Sequence, residues 1–556
     1  MAKLKKSITS ALALTMLAGC SSSTAASEKT SSSSGGANND VVTIATATDV
    51  ISWDTCIATD GTSFLAQMMF TSGLMWTGED GLPECDLAED YTVSDDGLVY
   101  TFTIRDDAVW SNGDPVTAND FVYAWRRLID PDTASEYNWM LSTMNVKGAE
   151  AYDPESGAAV EDLGIVALDD KTLEITLTKP TGYFLSLLAF PTQFPLNEEY
   201  VEGLGDQYAT SADNLLSCGA YVIKDWTPGE SYSFVLNENY WDYDNMVADG
   251  IVNEVDYRVI QDTQTALMEY EAGNMQVVTL SGEQVTANKD SDGYTAKLNA
   301  FNFYLSCNIN NTDDETLKSV NVRKAMSYAL DRDTIADSLN DGSIAAEGII
   351  PFELASNPDG SGNDFRADNG ALVSYDVDEA KKYYEEACEE LGTDSISIEL
   401  LYGSDEGDSV IKAAEQIQSF LEAAGFEVSL NAKPKKERLN LMSDHDYQVA
   451  LTRWGPDYAD PQTYMDLFVS TNTSNNSGGY DSEEYDALVA EAESGTVSDV
   501  DRWNDFLEAE KVLISEDMAV IPVYQSGGAM LISPDITGIV FHQIGGDDYK
   551  HIKYVK

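Results

Sequence analysis

Basic residues are scarce in this chain of 556 residues: 32 lysines and arginines stand against 96 aspartates and glutamates, a formal net charge of −64 at pH 7. Nucleic acid and anionic lipid are held mainly through Lys and Arg, so this balance argues against both as partners. Histidine is scarcer still, with only His445, His542 and His551, and none forms an HExxH pattern. No GxSxG occurs either, which leaves zinc hydrolysis and elbow-serine hydrolysis without their usual parts. Six cysteines, widely spaced and without a CxxC, argue against a zinc site. No apolar run reaches the ~20 residues that a membrane span needs. What chemistry remains is ambiguous: pairs of carboxylates can be drawn at will from so many acids, so no pair is evidence for a glycosidase. Ser409 and Lys412 spell SxxK but lack KTG and SDN companions, and they fit the first turn of an amphipathic helix better. Residues 359–370, DGSGNDFRADNG, do not match the spacing of a calcium loop and read as a turn-rich surface segment.

The N terminus sets the address. Residues 1–6 are basic, 8–17 mostly apolar, and Leu17-Ala18-Gly19-Cys20 ends the run with small residues, the pattern of a secretory leader. The LAGC tetrad resembles the lipobox of bacterial lipoproteins. That resemblance implies removal of residues 1–19 and a lipid on Cys20, which would tether the protein to the outer face of the cytoplasmic membrane without spanning it. Residues 20–40 are rich in Ser, Thr and Gly, cannot bury a core and read as a flexible linker. Beyond Cys20 five cysteines remain, an odd number that leaves at least one unpaired.

The mature chain is too long for one core, and its 43% hydrophobic residues suffice for two or three domains. Residues 41–48 read as a strand and 64–74 as a buried helix. Tyr100, Phe102 and Ile104 alternate as a strand face, and Thr117 to Asp120 opens a helix carrying Phe121, Trp125 and Leu128. Further on, residues 376–392 and 409–424 are amphipathic helices, the second followed by Gly425 and a strand. Residues 501–514 with 520–524 repeat the helix–strand order. Alternation of this kind argues for sheets with helices packed on them. Residues 538–541 and 552–555 are strand-like as well. Within 447–461, YQVALTRWGPDYADP, a strand ends at Gly455-Pro456, and Asp457 follows between Trp454 and Tyr458. An Asp in an aromatic cleft would attract a cation, although a solvated turn is the ordinary reading of any single Asp among 96 acids.

Residues 102–137, FTIRDDAVWSNGDPVTANDFVYAWRRLIDPDTASEY, closely resemble the signature region of the solute-binding proteins of the oligopeptide/dipeptide-binding family, receptors that feed ABC importers. The similarity continues through 167–174, Gly219-Ala220-Tyr221 with Trp226, 239–242, 321–325 with Asp331-Arg332, and 454–461. It implies an α/β, two-lobed periplasmic-binding-protein-like fold with mixed sheets and an extra inserted domain. The implied division is 41–72, 181–301 and 526–556 as lobe I, 73–180 as the inserted domain and 302–525 as lobe II. It also implies a non-enzymatic monomer that needs no cofactor or metal, binds an oligopeptide extended between its lobes and hands it to membrane permease subunits. Relatives that bind nickel complexes or oligosaccharides keep a different solute open, and a secreted hydrolase is the more distant alternative.

By matching positions, the resemblance assigns Asp457 to the peptide's α-ammonium group, with help from Tyr137. Trp454 would line the cleft, and backbone at Thr59, Asp60, Gly61, Trp454 and Gly455 would pair with the ligand. On pattern alone Tyr137 and Trp454 are equally core aromatics, and 59–61 an ordinary loop. One departure stands out. The basic groups with which some relatives hold the ligand's carboxylate fall here on Leu451, Ser409 and Lys435, which leaves Arg453, Lys435 and Lys436 as candidates.

Overall fold

In this computed structural model the structure describes residues 41–555, except 80, 153–156, 158, 312, 313, 543 and 545. The leader, Cys20 and the linker therefore lie outside the described residues. The main sheet is mixed and has eleven strands, and two of them are long: Tyr294–Cys307 and Val520–Ile532. These two run antiparallel and take different neighbours at their two ends. At one end Val520–Ile532 pairs with Val277–Leu280, which leads on through Val41–Thr46, Glu254–Val259 and Ser231–Leu236 to Tyr221–Thr227. At the other, residues 302–307 pair with Val449–Trp454, which leads on to Ser397–Gly403 and Glu427–Lys433. The register between the two long strands shifts between Leu298 and Asn302, where the ladder is interrupted and the two halves of the sheet meet.

Each half has its own core. Val42, Ile44, Phe234 and Val255 pack with Ile536 and Ile552, so the start and the end of the described chain share one apolar cluster. On the far half, Leu305, Leu400, Leu451 and Ile521 pack against the helices Val320–Ala329, Val377–Leu391 and Asp408–Ala424. Burying one face of the sheet under apolar helix stripes is what the alternating pattern demanded. A third core belongs to a separate antiparallel sheet of Ala88–Val93, Val99–Ile104, Thr172–Thr176 and Ile165–Asp169. The helix Ala118–Ile129 supplies Phe121 and Trp125 to it.

Local chemistry explains the ends of elements, including those the residue pattern misplaced. The first helix is Gly61–Phe70 rather than 64–74: Asp60 caps it, accepting from Ser63 N at 2.9 Å, and at Thr71 the backbone turns extended. The C-terminal strands are shorter than expected and pair apart from the main sheet, as Ile536–Thr537 with Lys553–Tyr554. Gly538, at φ 90°, turns the chain there, and a side chain at this position would strike the His551 carbonyl. Segment 359–370 is not all loop, since Phe365–Asn369 forms a short helix.

Candidate functional site

Strand Val449–Trp454 alternates regularly. Val449 and Leu451 face the core under the helices, Arg453 follows on the same face, and Ala450, Thr452 and Trp454 face the other way. The strand stops where the residue pattern placed its end. Gly455 lies against the Phe301 ring so closely that a Cβ would overlap it, and Pro456 has no N–H for the ladder. Beyond it the chain is fixed by Thr463, whose hydroxyl accepts from Asp457 N at 3.3 Å and from the Trp454 indole at 3.4 Å. Tyr458 is then driven into the core beside the antiparallel sheet and stacks on Tyr183 with ring centroids 4.0 Å apart.

Between these two anchors the Asp457 side chain faces a cavity of about 590 Å³. Its walls come from both halves of the main sheet: Leu298 and Phe541 on one side, Gly342 and Leu354 on the other, with Ala189 and Phe190 between. The Asp457 carboxylate is half-buried and has no hydrogen-bond or salt-bridge partner among the described residues. Burial raises its pKa from 3.8 to about 6.

Tyr137 stands nearby. Its hydroxyl pKa is raised by burial and then by the charges of Asp457, Glu136 and Asp60, and its ring stacks on Phe190, which lines the cavity, at 5.6 Å. Thr59 and Gly61 are exposed, in a loop held by Asp54. That carboxylate forms a two-pronged pair with Arg127 at 2.6 and 2.8 Å and accepts from Cys56 N at 3.0 Å. The Asp60 carboxylate is spent on its helix cap and is not free to meet a ligand.

The residues expected to hold a ligand carboxylate lie elsewhere. Leu451 is buried in the apolar core. Arg453 is exposed, its guanidinium 4.9 Å from the Phe301 ring centroid and 5.6 Å from that of Phe303. Lys435 and Lys436 are exposed in the first turn of helix Lys435–Ser443. Of all the expected residues, Asp457 alone lines the cavity. The wall also holds Lys297, Glu353 and His542, which local pattern did not single out. Among the described residues no group of three or more His, Cys, Asp or Glu side chains is placed to hold a metal, and no helix is long and apolar enough to cross a membrane.

Comparison with known proteins fits this architecture. The family model for bacterial extracellular solute-binding proteins, family 5 Middle, matches residues 83–476. A dipeptide-binding protein of Lactococcus lactis subsp. cremoris is 32% identical over 517 residues, 90% of this chain and 91% of that protein. The oligopeptide-binding protein OppA of Bacillus subtilis is 30% identical over 484 residues, 85% of each chain. Among solved structures, Listeria monocytogenes OppA bound to peptide superposes with a TM-score of 0.71 at 34% identity, covering 93% of this chain and 100% of that one. The unliganded open form of the murein tripeptide binding protein MppA gives 0.79 at 25% identity, covering 94% and 98%.

Proposed function

That the chain belongs to the bacterial extracellular solute-binding proteins of family 5 is the premise from which we propose that it is a peptide receptor. It takes an oligopeptide, extended, into the cavity between its lobes and delivers it to the permease subunits of an ABC importer. The relatives named for dipeptides and oligopeptides support the class of ligand. The observation that carries the reading is the Asp457 carboxylate, half-buried on the cavity wall with no cation beside it among the described residues. Leaving a desolvated carboxylate unpaired is costly, and a ligand ammonium relieves that cost. Tyr137 stands beside the same charge, and the backbone of Trp454, Gly455 and 59–61, outside the cavity wall itself, is assigned to the ligand's main chain by the resemblance. Main-chain pairing of this sort gives affinity without side-chain preference.

The lobes we assign are 41–72, 181–301 and 526–556 against 302–525, with 73–180 inserted. In the cell we place the monomer on the outer face of the cytoplasmic membrane, held by a lipid on Cys20.

Titration calorimetry with Ala-Ala-Ala and its N-acetylated form tests the assignment. Asp457→Asn is expected to weaken the free-amine peptide by about 10- to 100-fold, the value of a charge-assisted hydrogen bond, and to leave the acetylated peptide unaffected. Unchanged affinity for the free amine would remove Asp457 from the site. A thermal-shift panel that includes oligosaccharides and nickel complexes separates a different solute, since only a ligand of the folded state raises the melting temperature. Peptide cleavage in the same wells would favour a hydrolase.

A further inference from the structure

The cavity has a second polar wall that the expected site residues do not account for. Among the described residues that line it, Lys297 is the one lysine or arginine and His542 the one histidine, against the carboxylates of Glu79, Glu353 and Asp457. Lys297 lies on the long strand Tyr294–Cys307, directly across from Gly528. Its ammonium reaches both oxygens of Asp547 at 2.6 Å, and its side chain is 20% exposed. An ammonium has three N–H donors, so one remains without a protein acceptor among the described residues.

His542 lies beside this pair, with the residue 8% exposed and Nε2 buried without a partner. Burial lowers its pKa, against the opposing pull of Asp548 and Asp547, while Lys550 and Lys297 push the same way as burial. Behind it Lys550 and Asp548 face each other at 3.4 Å, both buried. The cluster thus holds two ammonium groups against two carboxylates and gains no net charge of its own. One donor of the Lys297 ammonium, with no protein acceptor among the described residues, therefore faces a cavity whose other charged walls are acidic.

We propose that Lys297, with His542 packed beside it, forms a carboxylate subsite in the ligand cavity, the ammonium donating to a carboxylate of the bound peptide. This rests on the peptide reading and completes it. Asp457 meets the ammonium group of a zwitterionic ligand, and the one cation on the wall meets its negative end. Arg453, Lys435 and Lys436 do not line the cavity, so the subsite replaces the anchors expected from relatives. A cavity of about 590 Å³ suits a short ligand.

The test is calorimetry on the mature chain with four peptides: Ala-Ala-Ala, its C-terminal amide, and the amides of Ala-Glu-Ala and Ala-Gln-Ala. If the C-terminal carboxylate occupies the subsite, the free acid binds about tenfold or more tightly than its amide. If an acidic side chain does, the same preference separates the Glu from the Gln peptide. In either case Lys297→Met abolishes the preference. The double variant Lys297→Met/Asp547→Asn also abolishes it without stranding a buried aspartate, which separates loss of the subsite from loss of the fold. A preference that survives in both variants, or no preference in the unaltered protein, overturns the subsite and leaves the peptide reading standing. Failure of all four peptides to bind overturns the reading itself, and the subsite with it.

Discussion

Asp457 owes its raised pKa to burial alone, with no neighbouring carboxylate needed to explain it. The direction fixes how binding must depend on pH. Its folded value, about 6, lies above the ordinary 3.8, so the empty folded protein holds this proton more tightly than the unfolded chain does. The corresponding stability is fully present below about pH 4 and is lost as pH rises through 6. A ligand ammonium needs the charged form and must displace the proton. The affinity for a free-amine peptide is therefore expected to be about tenfold weaker at pH 5 than at pH 7 and to level off above pH 7. Calorimetry across that range checks it, and two buffers of different ionisation heat reveal the released proton. In Asp457→Asn the slope disappears. A slope that persists in the variant would assign the titration to another group.

At the scale of elements, the segment that leads to Gly342 and Leu354 on the far wall is held by a buried ion pair. Arg366 on helix Phe365–Asn369 and Glu510 on helix Asp499–Lys511 are both fully buried and meet through two contacts of 2.7 Å. Glu510 also accepts from Ile350 N at 3.0 Å and from the Asn369 amide at 2.7 Å. Next to this, the Asn302 amide donates to the carbonyls of Gly348 and Ile349 at 2.9 and 2.8 Å, which ties the segment to the long strand. Removing one member of such a pair strands the other charge. Arg366→Met is expected to cost about 3–5 kcal/mol in urea unfolding, and Arg366→Met/Glu510→Leu to recover most of it. A double variant as unstable as the single one would mean that packing, not the stranded charge, sets the loss.

The same scale separates what the residues disclosed from what they hid. Helix Asp408–Ala424, with its turn at Gly425 and the strand after it, could be read off because one apolar stripe faces one core throughout. The two long strands could not. Residues 296–298 border the cavity while 302–307 are buried in the sheet, so neither strict alternation nor a continuous apolar run holds along Tyr294–Cys307. In Val520–Ile532 only 520–524 reads as a strand; at Gly527-Gly528 beyond it Gly342 approaches so closely that a Cβ at Gly527 would strike its carbonyl. Asp457 was visible because its turn chemistry is local. Lys297 and Asp547 are 250 positions apart in sequence, and no window of pattern contains both.

For the whole molecule, the question is what a ligand gains by touching both halves at once. The walls of the cavity come from either side of the register break at Leu298–Asn302, so a ligand that fills it would contact both halves, and a form with the halves apart would lose one set of contacts. A ligand shifts an equilibrium only by its differential affinity for the two forms, and moving from 1:99 to 99:1 requires about 10⁴-fold. The Asp457 contact, at about 10- to 100-fold, supplies part of that factor, and the ligand's other contacts, that of Lys297 among them, supply the rest. Saturating Ala-Ala-Ala is therefore expected to reduce the radius of gyration in small-angle X-ray scattering. Asp457→Asn, saturated at correspondingly higher peptide, should show a smaller reduction, because the lost contact no longer favours the closed form. Equal reductions in the two proteins would mean that Asp457 binds the amine equally well with the lobes apart, and that closure is driven by the other contacts.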